Sequence, residues 1–282
     1  MSECEEIYVL AARTSLSPDP DATHYYGPPG LFPPRARRVF VSCTFTWDKP
    51  RAQWLAEQWR AALPEAEVLV GGPAYGDPGG EFVPGKFLKE GVTITTRGCP
   101  GCSSPCLVPK REGGIRCLAI KPGWIVQDNN LLAAPRAHVE AVLDMLEAQP
   151  RAAKFSGGLE AVRFLANPWF VERLAAWRCR PELWFAYDNP LEGPVATEAV
   201  RVALRLGFTQ RHVRCYVLVG RHSDTVRAAE ARLREVFEAG GLPFAMLWRD
   251  ENAQTRHEPE WRALVRKWTR PAAMFASERT RA

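Results

Sequence analysis

Residues 183–219, LWFAYDNPLEGPVATEAVRVALRLGFTQRHVRCYVLV, contain a complete strand–helix–strand repeat. The runs at 183–187 and 212–219 are short and rich in β-branched and aromatic residues, which predicts two strands. From about Val195 to Leu206 the apolar residues recur at helical spacing, which predicts a helix between them. Two strands connected through a helix run parallel in one sheet. This segment therefore predicts an α/β protein.

The same alternation extends through most of the chain. Further strands are predicted at residues 7–12, 39–45, 67–70, 91–96, 124–127, 153–155 and 244–248, and further helices near 50–63, 135–148, 167–178, 224–239 and 258–268. Counted from Val92, six strands follow one another with mostly helical connections. Such alternation gives either a doubly wound sheet or a barrel-like (βα) fold. The last dozen residues are expected to be disordered.

Polar residues and glycines lie where the predicted strands end. In both folds that the alternation allows, ligands bind at the carboxyl ends of the strands. The sequence therefore predicts that these residues converge on one edge and form an active site there. They are the three cysteines of the loop after the strand at 91–96 (Cys99, Cys102 and Cys106), with Asp128, Gly157, Gly158, Glu160, Asp188 and Gly220.

Three of the eight cysteines, Cys99, Cys102 and Cys106, fall within eight residues after the predicted strand at 91–96. Thiolates grouped this closely usually hold a metal or an iron–sulfur cluster. Three ligands would leave one iron of a [4Fe–4S] cluster open to a substrate, whereas plain electron transfer uses four cysteines. A structural zinc site completed by Cys117 is the alternative.

Composition sets limits on the function. The chain has 282 residues, of which 46% are hydrophobic and 24% charged, and its net charge is +5. This small excess of positive charge does not indicate a dedicated nucleic-acid-binding protein. The N-terminus is acidic, without the features of a signal peptide, and no apolar run approaches the roughly 18 residues that span a membrane. We therefore expect a cytoplasmic protein without membrane contact, in which clustered thiols stay reduced.

The cysteine loop after the first of six strands, the Gly157-Gly158-Leu-Glu160 sequence after the third and the (βα) steps together resemble the radical S-adenosylmethionine (SAM) superfamily. The arrangement is most similar to the branch with a B12-binding-like N-terminal domain. The resemblance implies a partial (βα)6 TIM-like barrel at residues 86–250, preceded at 1–85 by a small βαβ unit. A C-terminal helix and tail occupy 251–282.

The resemblance also implies a reaction and its cofactors. Cys99, Cys102 and Cys106 would bind a [4Fe–4S] cluster, whose open iron takes the amino and carboxylate groups of SAM. Reductive cleavage of SAM then gives a 5′-deoxyadenosyl radical that abstracts hydrogen from a substrate, here unknown. An electron donor, either a reductase or a flavodoxin or ferredoxin, is implied as partner. A nucleic-acid substrate is an option that nothing in the sequence indicates.

The resemblance also implies roles in SAM binding for the residues at the predicted edge. Gly157, Gly158 and Glu160 match the Gly-Gly-Glu motif that holds the amino group of SAM. Residues at the other strand ends would contact ribose, methionine and adenine; they are Asp128, Asp188 and Gly220.

Two features depart from the family pattern. The cysteines are spaced C-x2-C-x3-C instead of C-x3-C-x2-C, so that Ser103 stands where the middle ligand is expected. The N-terminal unit lacks the Asp-x-His-x-x-Gly signature, and we expect no cobalamin. The shifted spacing also leaves a second interpretation, a non-catalytic zinc- or cluster-binding protein, for interaction or redox sensing, on a degenerate radical SAM scaffold. Asp128 and Asp188 have a structural alternative as helix or turn caps.

Overall fold

A computed structural model describes residues 3–101, 106–221, 223–250 and 255–279. The chain divides into two compact units, one ending at Gly123 and the other beginning at Trp124 and including the C-terminal helices. The sequence placed a domain boundary after residue 85, whereas contacts group residues 86–123 with the N-terminal unit. The predicted α/β class is confirmed, since helices alternate with strands in parallel sheets.

The first unit is built on a parallel sheet with strand order β2-β1-β3-β4. Its strands are β1 (Glu3–Leu10), β2 (His24–Tyr25), β3 (Arg35–Ser42) and β4 (Glu67–Gly71), with α1 (Lys49–Ala62) between β3 and β4. The unit also contains β5 (Val92–Thr93), β6 (Thr96–Arg97), α2 (Val108–Glu112) and β7 (Arg116–Cys117). The strand predicted at 91–96 is thus divided into β5 and β6.

The core of the first unit lies between this sheet and α1. Ile7, Val39, Leu55 and Trp59 are fully buried. Fully burying a side chain of this kind stabilises the fold by about 1.5–3 kcal/mol. Trp59 also meets the ring of Tyr25 edge to face at 5.0 Å, which attaches the short β2 to the core.

The second unit repeats strand and helix in regular order. Its strands are β8 (Ile125–Val126), β9 (Lys154–Leu159), β10 (Glu182–Tyr187), β11 (Val213–Val219) and β12 (Leu242–Leu247). Its helices are α3 (Arg136–Glu147), α4 (Ala161–Ala166), α5 (Pro168–Ala176), α6 (Gly193–Arg205), α7 (Val226–Glu238), α8 (Pro259–Trp268) and α9 (Pro271–Arg279).

The strands of the second unit are parallel and lie side by side in chain order, from β8 to β12. Because crossover connections between parallel strands are right-handed, this order places the connecting helices on the same face of the sheet. Phe164 of α4 packs on Phe185 of β10 with ring centroids 4.8 Å apart. Alternate residues of β11, such as Val213 and Val217, are fully buried, as expected for the helix-covered face.

Three details differ from the sequence-based expectations. β9 continues through Gly157 and Gly158, where the sequence predicted that the strand had already ended. α4 precedes the helix predicted at 167–178 and was not predicted. α9 occupies most of the segment expected to be disordered, because Met274 is 1% exposed and Phe275 contacts Phe237 at 5.5 Å. Within the described chain, every helix is too short or too polar to cross a bilayer.

Candidate functional site

Cys99 lies in a β-hairpin of the first unit. β6 and β7 pair antiparallel, with Thr96 opposite Cys117, and the amide of Cys99 donates a hydrogen bond to the carbonyl of Gly113 at 3.0 Å. Cys99 is 5% exposed, whereas Cys106 and Cys117 lie at the surface. We call β6, β7 and the described residues between them the cysteine hairpin.

The base of the cysteine hairpin is held by a glycine and a buried carboxylate. Gly98 has a φ of +82°, and a Cβ at this position would lie 2.1 Å from the carbonyl oxygen of Gly114. Glu112, whose side chain is 2% exposed, accepts a hydrogen bond from the Gly98 amide at 2.9 Å and pairs with Arg111. From the sequence, residues 110–112 could be either a solvated loop or a contact to substrate, and the burial of Glu112 was not predicted.

The donor chemistry of the cysteine hairpin fits an iron–sulfur cluster or zinc, since thiolates are the ligands that both prefer. The predicted triad includes Cys102, which lies outside the described residues, as does Ser103. Among the residues that the structure does describe, no three Cys, His, Asp or Glu side chains are grouped to hold a metal ion. Cys99 and Cys106 are thus the described members of the triad.

The two glycines of the Gly-Gly-Leu-Glu sequence lie on a bulge of β9. Phe155 pairs with Leu183 and Leu159 with Phe185, so four steps along β9 match two along β10. Gly158 has a φ of +104°, which favours glycine. β-bulges are frequent next to active sites, where they redirect the chain.

Gly157 allows β9 to approach the chain that follows β8. A Cβ at Gly157 would lie 2.3 Å from the carbonyl oxygen and 2.8 Å from the amide nitrogen of Asp128. No side chain fits there without moving the backbone. The side chain of Asp128 is buried, with 1% of the residue exposed. Gly157 and Asp128, which the sequence placed at one edge, are therefore in direct backbone contact.

Glu160 directly follows the bulged strand and is held from two sides. Its Oε2 atom accepts hydrogen bonds from Asn130 Nδ2 at 2.8 Å and from Arg163 Nε at 2.7 Å. The carboxylate thus has a fixed orientation while 26% of the side chain stays exposed. The sequence analysis missed both partners. Arg163 is three residues after Glu160 at the start of a helix, a spacing that favours such a pair.

Asp188 follows β10 and carries a perturbed carboxyl group. Burial, reinforced by the negative charge of Glu192, raises the pKa of Asp188 to about 6. The amide of Asp188 donates to Glu192 Oε2 at 2.6 Å. The turn cap is made by the next residue, since Asn189 Oδ1 accepts from the amide of Leu191 at 3.0 Å. The carboxyl group of Asp188 is not the cap of this turn.

Gly220 follows β11 with a φ of +80°, and a Cβ there would lie 2.9 Å from the His257 ring. Its amide donates to Asp224 Oδ2 at 2.9 Å. Asp224 in turn forms an ion pair with Arg232 at 2.7 Å, in which the side chains are 9% and 10% exposed. Arg232 also donates to the carbonyl of Leu218 at 3.1 Å. A nearly buried ion pair, which the sequence did not indicate, thus fixes this strand end.

The residues predicted to meet in the second unit lie near the carboxyl ends of parallel strands of one sheet, either after a strand or, for Gly157 and Gly158, within the last half of β9. We call this group the carboxyl edge; it consists of Asp128, Gly157, Gly158, Glu160, Asp188 and Gly220. No family model matches the chain, and neither does any curated protein. Function is therefore inferred from two groups of residues, the cysteine hairpin and the carboxyl edge.

Proposed function

We propose that this protein is a cytoplasmic radical SAM enzyme that uses a [4Fe–4S] cluster and acts on an as yet unidentified substrate. The observation that supports this most is the bulge of β9, which presents Gly157 and Gly158 directly before the oriented carboxylate of Glu160. A carboxylate beside a glycine pair, which lets a ligand approach the backbone closely, suits a ligand with both an ammonium and a carboxylate group, as the methionine end of SAM has.

In this proposal, Cys99, Cys102 and Cys106 hold the cluster, and Glu160 holds the amino group of SAM. When bound, these groups supply the one-electron cleavage of SAM and a carbon radical that removes hydrogen from a substrate. The protein contributes binding, orientation and exclusion of water. Asn130 and Arg163 keep one oxygen of Glu160 in a fixed place.

The carboxyl group of Asp188 adds a second function to the carboxyl edge. With its pKa raised to about 6, it changes between acceptor and donor near neutral pH. A protonated carboxyl donates a hydrogen bond, and an ionised one only accepts. We assign Asp188, with Asp128 and Gly220, to contacts with the remaining parts of SAM.

The finer architecture also forms part of the proposal. A one-sided parallel sheet with its strands in chain order is the arrangement of a (βα) barrel. We propose that the strands from Val92 to Leu247 form a partial (βα)6 barrel, and that the parallel sheet of the first unit is a reduced B12-binding-like unit.

Anaerobic reconstitution tests the activity. We expect stoichiometric iron and sulfide in the wild type, and 5′-deoxyadenosine from SAM with dithionite. Cys99→Ala is expected to lose both, whereas Cys179→Ala, which removes an exposed thiol of the second unit, keeps them. A wild-type protein that binds no iron contradicts the proposal.

The ligand spacing has its own test. The double variant Cys102→Ser/Ser103→Cys restores the usual C-x3-C-x2-C pattern. If the wild type is a working enzyme, both proteins form 5′-deoxyadenosine. If only the double variant does, the natural chain is a degenerate member of the scaffold.

A zinc-binding protein is the second candidate, favoured by the position of Cys117 at the surface of the cysteine hairpin, across from Thr96. Four thiolates would complete a tetrahedral zinc site. Metal analysis of protein purified without oxygen separates the two candidates. Stoichiometric zinc that is lost in Cys117→Ala supports this one, and iron and sulfide retained in Cys117→Ala support the enzyme.

A further inference from the structure

A cleft lies at the end of the second unit that is opposite the carboxyl edge. It has a volume of about 340 Å³ and is lined by the end of α3, by the chain that leads into β9 and by the chain between α5 and β10. Because β9 and β10 are parallel neighbours, the segments that precede them meet at the amino ends of the strands. Clefts of about 300 Å³ and more are the usual size of small-molecule sites. We call this the amino-edge cleft.

Apolar side chains form part of the wall of the amino-edge cleft. Leu146 at the end of α3, Pro150 before β9 and Trp177 after α5 line it. Leu146 is 2% exposed and Trp177 is 8% exposed, so both are held firmly by the fold. A lining of this kind favours a ligand with a compact hydrocarbon group.

Two arginines, Arg151 and Arg178, line the same cleft and are exposed. Within the described ranges, neither guanidinium group forms an ion pair or a hydrogen bond with another group of the protein. The guanidinium of Arg151 lies over the ring of Trp124, at 4.7 Å from its centre. Such a contact positions the cation and leaves its N–H groups available to an acceptor.

The charge of the lining residues favours an anion. One carboxylate, that of Glu147, lines the cleft beside the two arginines, which gives a net charge of +1. Oε2 of Glu147 lies 3.7 Å from Nη2 of Arg173, on α5. This carboxylate therefore has a neighbouring cation of its own, and the arginines of the cleft keep their charge for a ligand.

The helix ends beside the cleft do not need the two arginines as caps. The carbonyl of Leu146 accepts from the amide of Gln149 at 3.1 Å, and the carbonyl of Leu174 accepts from the amide of Trp177 at 3.2 Å. The carbonyl of Met145 accepts from Gln149 Nε2 at 3.0 Å. Basic side chains near a helix end often bind its last carbonyls, but here other donors do so.

Trp177 adds a donor that has no acceptor. In the part of the chain that the structure describes, its buried Nε1 atom has no hydrogen-bond partner. Buried polar groups nearly always have a partner, either in the protein or in a bound molecule. An unpaired donor in the wall of a cleft indicates that an acceptor from outside the protein completes the site.

We propose that the amino-edge cleft binds a small organic acid, a compact apolar group that carries an anionic head. Arg151 and Arg178 bind the head, which is a carboxylate or a phosphate, since both match the planar fork of arginine. The walls formed by Leu146, Pro150 and Trp177 contact the apolar group. The lining residues are separate from those assigned to SAM and to the cluster, so this site does not depend on the proposed function.

The test uses the purified full-length protein and three probes of similar shape, benzoate, phenyl phosphate and benzamide. Binding near neutral pH is followed at the indole N–H resonance of Trp177, which Trp177→Phe assigns. We expect both acids to shift this resonance with a Kd of about 1–10 mM, as suits fragments of this size. Benzamide is the neutral analogue and should bind about tenfold more weakly than benzoate or worse.

The comparison of the probes decides the chemistry of the site. The tighter of the two acids shows whether the head is a carboxylate or a phosphate. If benzamide binds as tightly as benzoate, the cleft is only an apolar crevice and the proposal is wrong. Absence of binding by both acids at about 10 mM overturns it as well.

Two arginine variants test the role of the charge. Arg178→Gln should weaken benzoate binding about tenfold. Arg227→Gln changes an exposed arginine of α7 outside the cleft and should alter the affinity less than about twofold. Since both side chains are exposed, both variants should unfold at the temperature of the wild type. Equal affinities in the two variants contradict the proposed site.

A second readout uses the thiol of Cys179, which is exposed and also lines the cleft. Bound benzoate should slow its alkylation by iodoacetamide, as measured by peptide mass spectrometry. Cys117, an exposed thiol of the first unit, is the reference in the same sample. Protection of Cys179 alone supports the site. Equal protection of both thiols, or of neither, places benzoate elsewhere and overturns the proposal.

Discussion

The cysteine hairpin and the carboxyl edge differ in what their residues do for the fold. At the carboxyl edge, the candidate ligands are themselves part of the structure: Gly157 permits a backbone contact, and Glu160 is bound by two side chains. In the cysteine hairpin, the contacts that hold the backbone together are made by Gly98 and Glu112, neither of which is a candidate ligand. A variant of the carboxyl edge that loses function therefore needs a stability control. A cysteine variant of the hairpin that loses metal can be attributed to the missing ligand.

The largest effect on stability is expected at the end of β11. Arg232→Ala leaves the carboxylate of Asp224 nearly buried without its cation, which costs about 3–5 kcal/mol. Arg234→Ala is the control on the same helix, because its pair with Glu230 is 21% and 26% exposed and should contribute about 1 kcal/mol or less. Urea unfolding measures both. Equal effects would show that the carboxyl edge does not depend on this buried pair.

The next prediction compares the two close backbone approaches. Gly98→Ala should lower the free energy of unfolding by about 3 kcal/mol, since the new Cβ clashes and the residue keeps a positive φ. Gly157→Ala should lower it by about 2 kcal/mol through the clash alone. Gly114→Ala has no atom within 4 Å of its Cβ and serves as the control. If Gly98→Ala leaves the free energy of unfolding unchanged, the base of the cysteine hairpin is loosely packed.

The strands and helices of the second unit could be predicted from the sequence, but the side-chain contacts that fix the strand ends could not. Residues 183–187 and 212–219 show apolar runs of strand length, and the structure has β10 at Glu182–Tyr187 and β11 at Val213–Val219. The periodicity of apolar residues is a property of consecutive residues, so it predicts single strands and helices well. The pair of Asp224 and Arg232 depends on how a loop and a helix pack, which no local pattern encodes.

The bulge of β9 shows why a glycine pair was interpreted as a strand end. Glycine is depleted in strands, so Gly157 and Gly158 predicted that β9 stops at Phe155. The structure continues the strand because its pairing with β10 resumes at Leu159 after the extra residues. The cysteine pattern was visible in the sequence, but the buried position of Glu112 was not.

A smaller effect is expected from the pH dependence of Asp188. Its folded pKa of about 6 lies above the ordinary value of 3.8, so the carboxyl group supports folding at low pH and destabilises the fold as the pH rises through 4 to 6. Allowing for partial exposure, Asp188→Asn should be about 1–2 kcal/mol more stable than the wild type at pH 8. The two proteins should be equal near pH 4, as measured by urea unfolding at each pH.

The control for this prediction is Asp144→Asn, because the side chain of Asp144 on α3 is 69% exposed. An exposed carboxylate contributes little, so its removal should leave the pH dependence unchanged. If Asp188→Asn keeps the slope of the wild type between pH 4 and pH 8, the slope comes from other groups.

The smallest effect on stability, and the sharpest contrast between structure and binding, is expected for Glu160→Gln. The side chains of Glu160 and Arg163 are 26% and 37% exposed, so loss of this ion pair should cost less than about 1 kcal/mol of unfolding free energy. A charge-assisted bond to an ammonium is worth about 1.5–3 kcal/mol, so SAM affinity should fall about tenfold or more by titration calorimetry. Glu140→Gln, at a surface ion pair of α3, should leave SAM binding unchanged. If Glu160→Gln binds SAM as tightly as the wild type, Glu160 serves the fold alone, and SAM binding must be assigned to other residues.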